Sequence, residues 1–236
     1  MVIIPEKSED PTLVAMKQAV KDKPQQDRDY LGASAIGHEC ARNVWYSYNR
    51  TQPPSDYVMD QEDGHASEVI TAARLRMVEG VELWTEKENG EQFSFEDGKF
   101  KGHIDGVILG LLQAPKTPHV WEHKCTKNFK AFLKVKDKYE DKRVLQKWNY
   151  QYYIQAQIYM HYMGLKRHYT TVASAGSRDI ASCRTNYNAD VAAQYIDRAK
   201  KAIEAKIEPP RAFNSPTFFK CRLCSFAEEC WKDENA

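Results

Sequence analysis

At 236 residues the chain is long enough for one large domain, or for one domain with an appended element, and its 42% hydrophobic and 11% aromatic content is sufficient for a core. No run approaches the roughly 18 apolar residues that a spanning helix needs, and the start, MVIIPEKSED, lacks the features of a signal peptide, so we expect a cytoplasmic protein with no membrane partner. The formal net charge of +1 neither indicates nor excludes a nucleic-acid partner.

Three helices are predicted in the first third of the chain, at about residues 10–23, 34–48 and 63–79. The second carries Cys40 on its apolar side, where a cysteine is usually a small buried hydrophobe. The third carries His65 and Glu68, which are three residues apart and therefore share a face. Together they would suit a metal site, and separately they fit ordinary residues near a helix start.

A set of short strands follows, in the segments VELWTE, EQFSFE and KFKGHIDGVIL. The last of these is followed by a loop with two prolines and by the strand HVWEHK, so the two strands are predicted to pair as a hairpin. That pairing would bring Asp105 beside Glu122. Alternation along HVWEHK also places Glu122 and Lys124 on the same face.

Two carboxylates that share a site repel each other, so they either take up a proton or bind a cation, and hard oxygen ligands suit Mg²⁺ or Mn²⁺. Lys124 would then orient or help to deprotonate a water held by that metal. The same letters also fit a cross-strand salt bridge beside an unrelated turn aspartate, because short motifs of this kind often match by chance.

The charge distribution changes at this point of the chain. Residues 60–97 contain eleven acidic and three basic residues, whereas residues 124–147 contain nine basic and three acidic residues. A basic segment next to acidic metal ligands suits a substrate with a phosphate backbone. For any single lysine, a solvated helix face is an equally ordinary explanation.

A helix is predicted over WNYQYYIQAQIYMHYMG, where Gln151, Gln155 and Tyr159 recur every four residues as a polar and aromatic ridge. Such a ridge suits contact with a phosphate, a base or a metal-bound water, although tyrosine is also common in cores. Two strands, HYTTVASA and ASCRTNYN, and a helix over about residues 190–206 follow. The alternation of helices and strands predicts an α/β fold with a central mixed sheet.

The C-terminal segment FFKCRLCSFAEECW contains Cys221, Cys224 and Cys230 in a C-x2-C-x5-C pattern. In a cytoplasmic chain, three cysteines this close together indicate metal ligands more than disulfides. A fourth ligand is required, and the spacing does not choose among the other cysteines, which are Cys40, Cys125 and Cys183. A four-thiolate zinc site and a [4Fe-4S] cluster both satisfy this chemistry.

Taken together, the chain resembles the PD-(D/E)xK nuclease superfamily over about residues 34–231, through an ordered set of residues: His65, Asp105, Glu122-x-Lys124, Gln155-x3-Tyr159, Cys221, Cys224 and Cys230. It is most similar to the RecB-like branch with an iron–sulfur cluster, which includes CRISPR-associated RecB-family exonucleases, the AddB nuclease domain and phage-type recombination exonucleases. The proline of the motif name is replaced by Ile104 here.

The resemblance implies a role for each matching residue. His65, Asp105 and Glu122 would be metal ligands, Lys124 the catalytic lysine, and Gln155 with Tyr159 the helix motif that follows it, with Glu68 as a further member of the catalytic group. In this branch one cysteine precedes the nuclease core and three follow it. The resemblance therefore implies that Cys40 completes a [4Fe-4S] cluster with Cys221, Cys224 and Cys230.

The expected architecture is a restriction-endonuclease-like α/β core, a central mixed sheet flanked by helices, with an iron–sulfur element joining the N-terminal helix to the C-terminal tail. The expected divisions are an N-terminal helical extension at 1–33, a nuclease core at 34–208 and a cysteine tail at 209–236. The cluster would be structural, because it would tie the two ends of the chain together.

The function that the resemblance implies is a Mg²⁺- or Mn²⁺-dependent exonuclease that hydrolyses phosphodiester bonds at the ends of single- or double-stranded DNA, in recombination, repair or phage DNA processing. The implied partners are DNA, a single-strand annealing protein or another CRISPR or recombination protein, and a second copy of the chain. Lys127, Lys130 and Lys134 would hold the DNA backbone, and Tyr152, Tyr153 or Tyr159 would stack on an unpaired base.

Three alternatives stay open at this point. The chain would be a non-catalytic DNA-binding or scaffold protein that keeps the nuclease fold and the cluster, a structure-specific endonuclease or resolvase, or a zinc-ribbon-like module fused to an unrelated α/β domain. Cleavage of end-labelled DNA separates the first from an enzyme, and the brown colour of an iron–sulfur cluster separates the last from the others.

Overall fold

The computed structural model describes residues 10–22, 28–50, 58–175 and 179–232. Its helices are α1 (Pro11–Lys21), α2 (Ala41–Asn49), α3 (Val58–Leu75), α4 (Phe129–Lys138), α5 (Asp141–Trp148), α6 (Tyr150–Tyr162), α7 (Ala189–Glu204), α8 (Phe219–Arg222) and α9 (Ala227–Trp231). Its strands are β1 (Leu31–Gly32), β2 (Glu82–Trp84), β3 (Ser94–Asp97), β4 (Phe100–His103), β5 (Gly106–Leu109), β6 (His119–Thr126), β7 (Arg167–Ser174) and β8 (Ile180–Asn186). None of the helices in these ranges is both long and apolar enough to cross a bilayer.

Five strands form the central sheet, in the order β2-β5-β6-β7-β8. β6 and β7 are parallel, and the other neighbouring pairs are antiparallel. A parallel pair requires a crossover, and α4, α5 and α6 supply it between β6 and β7. The predicted mixed sheet flanked by helices is confirmed, and its middle strand, β6, carries Glu122 and Lys124.

Both faces of β6 are covered by helices. On one face Val120 belongs to the main core cluster with Ile154 and Ile158 of α6. On the other face Trp121 belongs to a second cluster with Ala72 of α3. The middle of β6 is therefore shielded from water, and any charged side chain there needs a partner.

A smaller sheet has the order β1-β4-β3, and it separates from the central sheet at Ile104 and Asp105. The sequence predicted one continuous strand through KGHIDGVIL, and this is wrong, because β4 and β5 belong to different sheets. The Ile104 N–H donates to the Phe93 carbonyl beside the small sheet, and two residues later Gly106 joins β6 opposite Trp121. An added Cβ at Gly106 would lie 2.5 Å from the Trp84 carbonyl oxygen, so this bend requires glycine.

The helix predicted at 34–48 begins only at Ala41. Residues 33–37 form turns instead, and the Ser34 carbonyl accepts a hydrogen bond of 2.6 Å from the Gln151 side chain. Gly37 packs so closely that an added Cβ would lie 2.8 Å from the Gln151 Cα. The apolar stripe that indicated a longer helix therefore includes Ile36, which is buried in a turn.

The C-terminal tail packs against α2. Trp45, Tyr46 and Phe226 form a separate apolar cluster, with Cys224 and Cys230 at its edge. The Trp45 indole donates to the Ala205 carbonyl at 2.9 Å, and the Tyr46 hydroxyl donates to Glu208 at 2.9 Å. These contacts bring the residues before α2 next to the last cysteines.

Candidate active site and cysteine cavity

Asp105 lies in the bend before β5, directly beside Glu122. The register pairs Gly106 with Trp121, which puts Asp105 opposite the next residue of β6. Its Oδ2 accepts a hydrogen bond of 2.7 Å from the His123 backbone N–H. The predicted hairpin and the closeness of its two carboxylates are confirmed.

Glu122 and Lys124 point to the same face of β6, as the alternation predicts. The Lys124 Nζ donates to Glu122 Oε1 at 2.6 Å, and the two side chains are only 18% and 6% exposed. The ammonium also lies 5.0 Å from the centre of the Tyr152 ring. Burial opposes the positive charge of Lys124, but the charges of Glu122 and Asp105 outweigh it and raise the pKa of the lysine above its usual value.

The two carboxylates are held where their charge is unfavourable. Burial raises the pKa of Glu122, and the neighbouring charge of Asp105 raises it further. Loss of water contact also raises the pKa of Asp105, against the opposing effect of Lys124. Glu122 Oε2 is a buried oxygen without a hydrogen-bond partner in the described part of the chain. A cation at this point would satisfy that oxygen and favour both ionised forms.

Glu68 and His65 approach the same carboxylates from α3. Burial raises the pKa of Glu68 to about 7, and the charge of Asp105 adds to the effect. His65 Nδ1 lies 3.8 Å from Glu68 Oε2, and the imidazole is 82% exposed. Glu68 therefore lies within the electrostatic reach of Asp105 and Glu122, with His65 at the solvent side of the group.

Gln155 and Tyr159 lie on the buried face of α6. The Gln155 Nε2 donates to the Tyr159 hydroxyl at 2.9 Å. Burial raises the pKa of Tyr159 well above its usual value, and the charge of Glu122 raises it further. Gln151 does not join them, because its side chain holds the turn at Ser34.

Burial limits which tyrosines can stack on a base. Tyr153 is 7% exposed and Tyr159 is 3% exposed, so neither ring presents a face to solvent. Tyr152 is half-buried, under the Lys124 ammonium. Of the three tyrosines proposed for stacking, Tyr152 alone keeps an accessible surface.

Sequence reasoning missed a hydrogen-bond chain on the opposite face of β6. His123 Nε2 lies 2.9 Å from the Ser67 hydroxyl, and its Nδ1 lies 3.0 Å from the Thr171 hydroxyl. The Trp121 indole also donates to Thr171, at 3.1 Å. This chain fixes α3, which carries Glu68, against β6. The signal available in the sequence was the alternation itself, which turns His123 away from Glu122 and towards α3.

Oxygen donors dominate the group, as a hard divalent cation requires. Glu68, Asp105 and Glu122 supply carboxylates, and Mg²⁺ and Mn²⁺ prefer such ligands. Within residues 10–22, 28–50, 58–175 and 179–232, no three His, Cys, Asp or Glu side chains are already arranged around one metal position. Here Lys124, by hydrogen bonding to Glu122, neutralises the carboxylate that a cation would otherwise share.

The four cysteines that the resemblance groups together line one cavity of about 40 Å³. Cys40 immediately precedes α2, and Cys221, Cys224 and Cys230 come from the tail. The two other candidates are elsewhere, since Cys125 lies on β6 and Cys183 is buried on β8. Of the three cysteines considered as a fourth ligand, Cys40 is therefore the one that lines the same cavity as the tail cysteines.

Donors surround the sulfur atoms of this cavity. The Asn43 Nδ2 donates to Cys224 Sγ at 3.3 Å, and Arg42 approaches Cys230 Sγ at 3.8 Å. Burial raises the pKa of Cys221, and the neighbouring sulfurs of Cys230, Cys224 and Cys40 raise it further. Two of the four sulfur atoms, those of Cys224 and Cys230, therefore have a side-chain N–H donor nearby.

Comparison with known proteins gives a fold and no sequence relative: no family model and no curated protein matches the chain. The crystal structure of SSO0001 is 16% identical, with 92% of this chain and 95% of that chain covered and a TM-score of 0.53. The crystal structure of the alkaline exonuclease LHK-Exo from Laribacter hongkongensis is 11% identical, with 88% and 95% covered and a TM-score of 0.52. At these identities the comparison establishes a shared fold.

Proposed function

We propose that the chain is a metal-dependent deoxyribonuclease of the PD-(D/E)xK superfamily that removes nucleotides from DNA ends. One observation carries this proposal: Asp105, Glu122 and Lys124 lie together at the middle of the sheet, and Glu122 Oε2 is buried there without a partner among the described residues. The shared fold with a protein described as an alkaline exonuclease supports the same reaction class.

Asp105 and Glu122 would hold Mg²⁺ or Mn²⁺, with His65 as a further ligand from α3. When bound, the metal polarises the scissile phosphate and makes its water a better nucleophile. Glu68 lies within electrostatic reach of the same group and would orient the attacking water. Lys124 keeps its charge at all ordinary pH values and would stabilise negative charge on the phosphate in the transition state.

Gln155 and Tyr159 support this group from α6. Their mutual hydrogen bond fixes the tyrosine hydroxyl near the carboxylates, where it can donate to a substrate oxygen or to water. Tyr152 lies next to Lys124 and is the side chain suited to contact a terminal base. Lys130 and Lys134 are exposed on α4 and would contact the DNA backbone. Lys127 forms an ion pair with Asp60, and it would contact the DNA backbone by exchanging that carboxylate for a phosphate.

For the cysteine cavity we propose a [4Fe-4S] cluster held by Cys40, Cys221, Cys224 and Cys230, as in the RecB-like iron–sulfur branch. The shared cavity and the donors to Cys224 and Cys230 support a thiolate-bound centre. Its role would be structural, joining the start of α2 to the tail. Purified protein should be brown with four irons per chain, and colourless protein containing one zinc would identify a zinc site instead.

The nuclease proposal is tested by digesting linear and circular DNA, labelled at either end where ends exist, with Mg²⁺ or Mn²⁺. We expect linear DNA to be shortened from an end and circles to survive. Asp105→Ala should reduce the rate by at least about a thousandfold, since several kcal/mol of metal assistance are lost. Cleavage of circles would make the protein an endonuclease, and binding without any cleavage would make it a scaffold. A recombination, repair or phage-processing role, with an annealing or CRISPR-associated partner, belongs to the same proposal.

A further inference from the structure

A polar cleft opens at the end of the central sheet where β6 and β7 begin. Its volume is about 350 Å³, and its walls include His119 of β6, Arg167 of β7 and Arg184 of β8. The loop before β6 contributes Thr117, and the start of α5 contributes Lys142. Sites for small molecules have volumes of roughly 300 to 1,000 Å³, so the cleft is large enough for one such ligand. We call it the Arg167 cleft.

The Arg167 cleft is separate from the candidate active site. His119 precedes Glu122 by three positions on β6, and because side chains alternate along a strand, the two side chains lie on opposite faces of the sheet. Val120 pairs with His168, which puts Arg167 beside His119 on the face away from Glu122. The described residues that line the cleft include none of the candidate catalytic side chains. A ligand in the cleft would therefore occupy a second, independent site.

Positive charge converges on His119 from the two neighbouring strands. Burial lowers the pKa of His119, and the charges of Arg184 and Arg167 lower it further, so both guanidinium groups lie within electrostatic reach of the imidazole. Arg184 forms an ion pair with Asp141 at 3.1 Å. The exposed Arg167 donates to the Lys166 carbonyl at 2.9 Å, and no carboxylate in the described ranges lies within ion-pair distance of it. Arg167 therefore brings to the cleft a positive charge that an anionic ligand would neutralise.

His119 supplies a hydrogen-bond acceptor to the same cleft. Its side chain is only 1% exposed, and its Nδ1 lies 2.8 Å from the Thr117 carbonyl oxygen. A carbonyl oxygen only accepts, so Nδ1 carries the ring proton and Nε2 of the neutral ring is an acceptor. Among the residues that the structure describes, none forms a hydrogen bond with Nε2. A buried ring nitrogen in the cleft wall is therefore left for the O–H of a ligand.

We propose that the Arg167 cleft binds a small phosphate monoester that also carries hydroxyl or amino groups, such as a mononucleotide or a sugar phosphate. The planar Arg167 guanidinium matches two phosphate oxygens. A monoester loses its second proton at a pH of roughly 6, so it can keep a P–OH that donates to His119 Nε2, whereas an ionised carboxylate has no such proton. Glu140 and Asp141 also line the cleft, where they would accept from hydroxyl or amino groups and repel a second phosphate. This site does not depend on the nuclease proposal.

The test is calorimetric titration of the full chain, without DNA or divalent metal, with adenosine 5′-monophosphate and with ribose 5-phosphate. Adenosine and inorganic phosphate are the matched ligands that lack one half of the proposed chemistry. Arg167→Gln should weaken binding of the monoester at least about tenfold, because a charge-assisted contact to the phosphate is lost. Arg74→Gln, which removes an exposed arginine of α3 outside the cleft, is the control and should bind within about twofold of wild type.

Two further variants make the test specific to the cleft. His119→Asn keeps a donor for the Thr117 carbonyl and removes Nε2, so it should bind the monoester several-fold more weakly, with urea unfolding as the check that it is folded. Asp105→Ala should bind as wild type does. No binding by wild type, or equal binding by wild type and Arg167→Gln, would overturn the inference. Loss of binding in Asp105→Ala alone would place the ligand in the candidate active site, and inorganic phosphate bound as tightly as the monoester would overturn the assignment of the ligand.

Discussion

Glu122 and Lys124 come from β6 and Asp105 from the bend just before its neighbour β5, whereas the cysteines of the cavity come from segments far apart in the chain. In the sheet, Lys124 binds one oxygen of Glu122 and a backbone N–H binds Asp105, while Glu122 Oε2 is buried without a partner in the described part of the chain. In the cavity, one of the contacts between the two segments connects Asn43 with Cys224, which are 181 positions apart. Pairing of neighbouring strands brings the acidic residues and Lys124 together, whereas the cysteines meet only when the tail packs against α2.

This difference predicts different consequences of losing a ligand. In the sheet site the Lys124 ammonium already balances part of the negative charge, so a bound metal would serve the reaction more than the fold. The two segments around the cavity are joined by the small apolar cluster of Trp45, Tyr46 and Phe226, by hydrogen bonds and by ion pairs such as that between Arg42 and Glu208. There a bound centre would contribute stability as well, because binding to a site that exists only in the folded state adds to the free energy of folding.

The largest effect is expected from Lys124→Ala. Cleavage should fall by at least about a thousandfold, since the charge that stabilises the transition state is lost. The protein should remain folded, because the high pKa of Glu122 lets that side chain take a proton once its partner is gone. DNA binding without metal should stay within a few fold of wild type. Lys130→Ala, at an exposed position on α4, is the control and should cost only a few fold; a Lys124→Ala variant with near-normal cleavage would remove this lysine from the mechanism.

The second effect concerns the cavity, through Cys224→Ser. This variant should be colourless and poorly soluble, with a free energy of unfolding lower by several kcal/mol, since the bound centre joins distant segments. Iron content, visible absorbance and urea unfolding measure the change. Cys125→Ser, on β6 and outside the cavity, should keep both colour and stability. A soluble, equally stable Cys224→Ser protein would contradict the structural role.

The smallest expected effect is on the pH dependence of the unfolding free energy, through His168 of β7. His168 is fully buried, and burial lowers its pKa to about 3, with further contributions from the charges of Lys124 and His119. The folded pKa of His168 lies below the unfolded value of roughly 6.5, so protonation favours the unfolded chain. The contribution of the neutral imidazole to folding stability is therefore fully present above about pH 6.5 and is lost as the pH falls towards 3.

We expect the slope of unfolding free energy against pH between about 6 and 4 to be lower in His168→Asn than in wild type, by up to about 1.4 kcal/mol per pH unit. Asparagine can keep the hydrogen bond that links the His168 Nδ1 and the Thr170 hydroxyl, at 3.1 Å, and it does not titrate. Urea unfolding at several pH values measures the slope. Identical slopes in wild type and His168→Asn would assign the acid sensitivity to other groups.

The parts of the fold that the sequence predicted are those that local patterns determine. Alternation in HVWEHK fixed the shared face of Glu122 and Lys124, and the loop before it fixed the hairpin with Asp105. The separation of β4 from β5 was not visible, because Ile104 and Asp105 continue the alternation on both sides. The early start predicted for α2 failed for a related reason: Ile36 fits a helical stripe but is buried by a turn packed on α6.

Features that depend on distant contacts could not be predicted from the sequence. β1 pairs in parallel with β4 through Leu31 and Gly32, which lie nearly seventy residues before their partners. Ser67 and Thr171 bind His123 from a helix and from a neighbouring strand, and no local pattern relates them. The spacing of cysteines left three candidates for a fourth ligand, and only the packing of the tail on α2 brings Cys40 to the others.

The long sequence separation within the cysteine cavity has a consequence during synthesis. A ribosome adds roughly 5 to 20 residues per second, so Asn43 waits on the order of ten to forty seconds before Cys224 is made. The hairpin that carries Asp105 and Glu122 needs only β5 and β6, which emerge long before the tail. We therefore expect nascent chains to form the acidic hairpin first, and the cysteine cavity to form only after Cys230 has been synthesised.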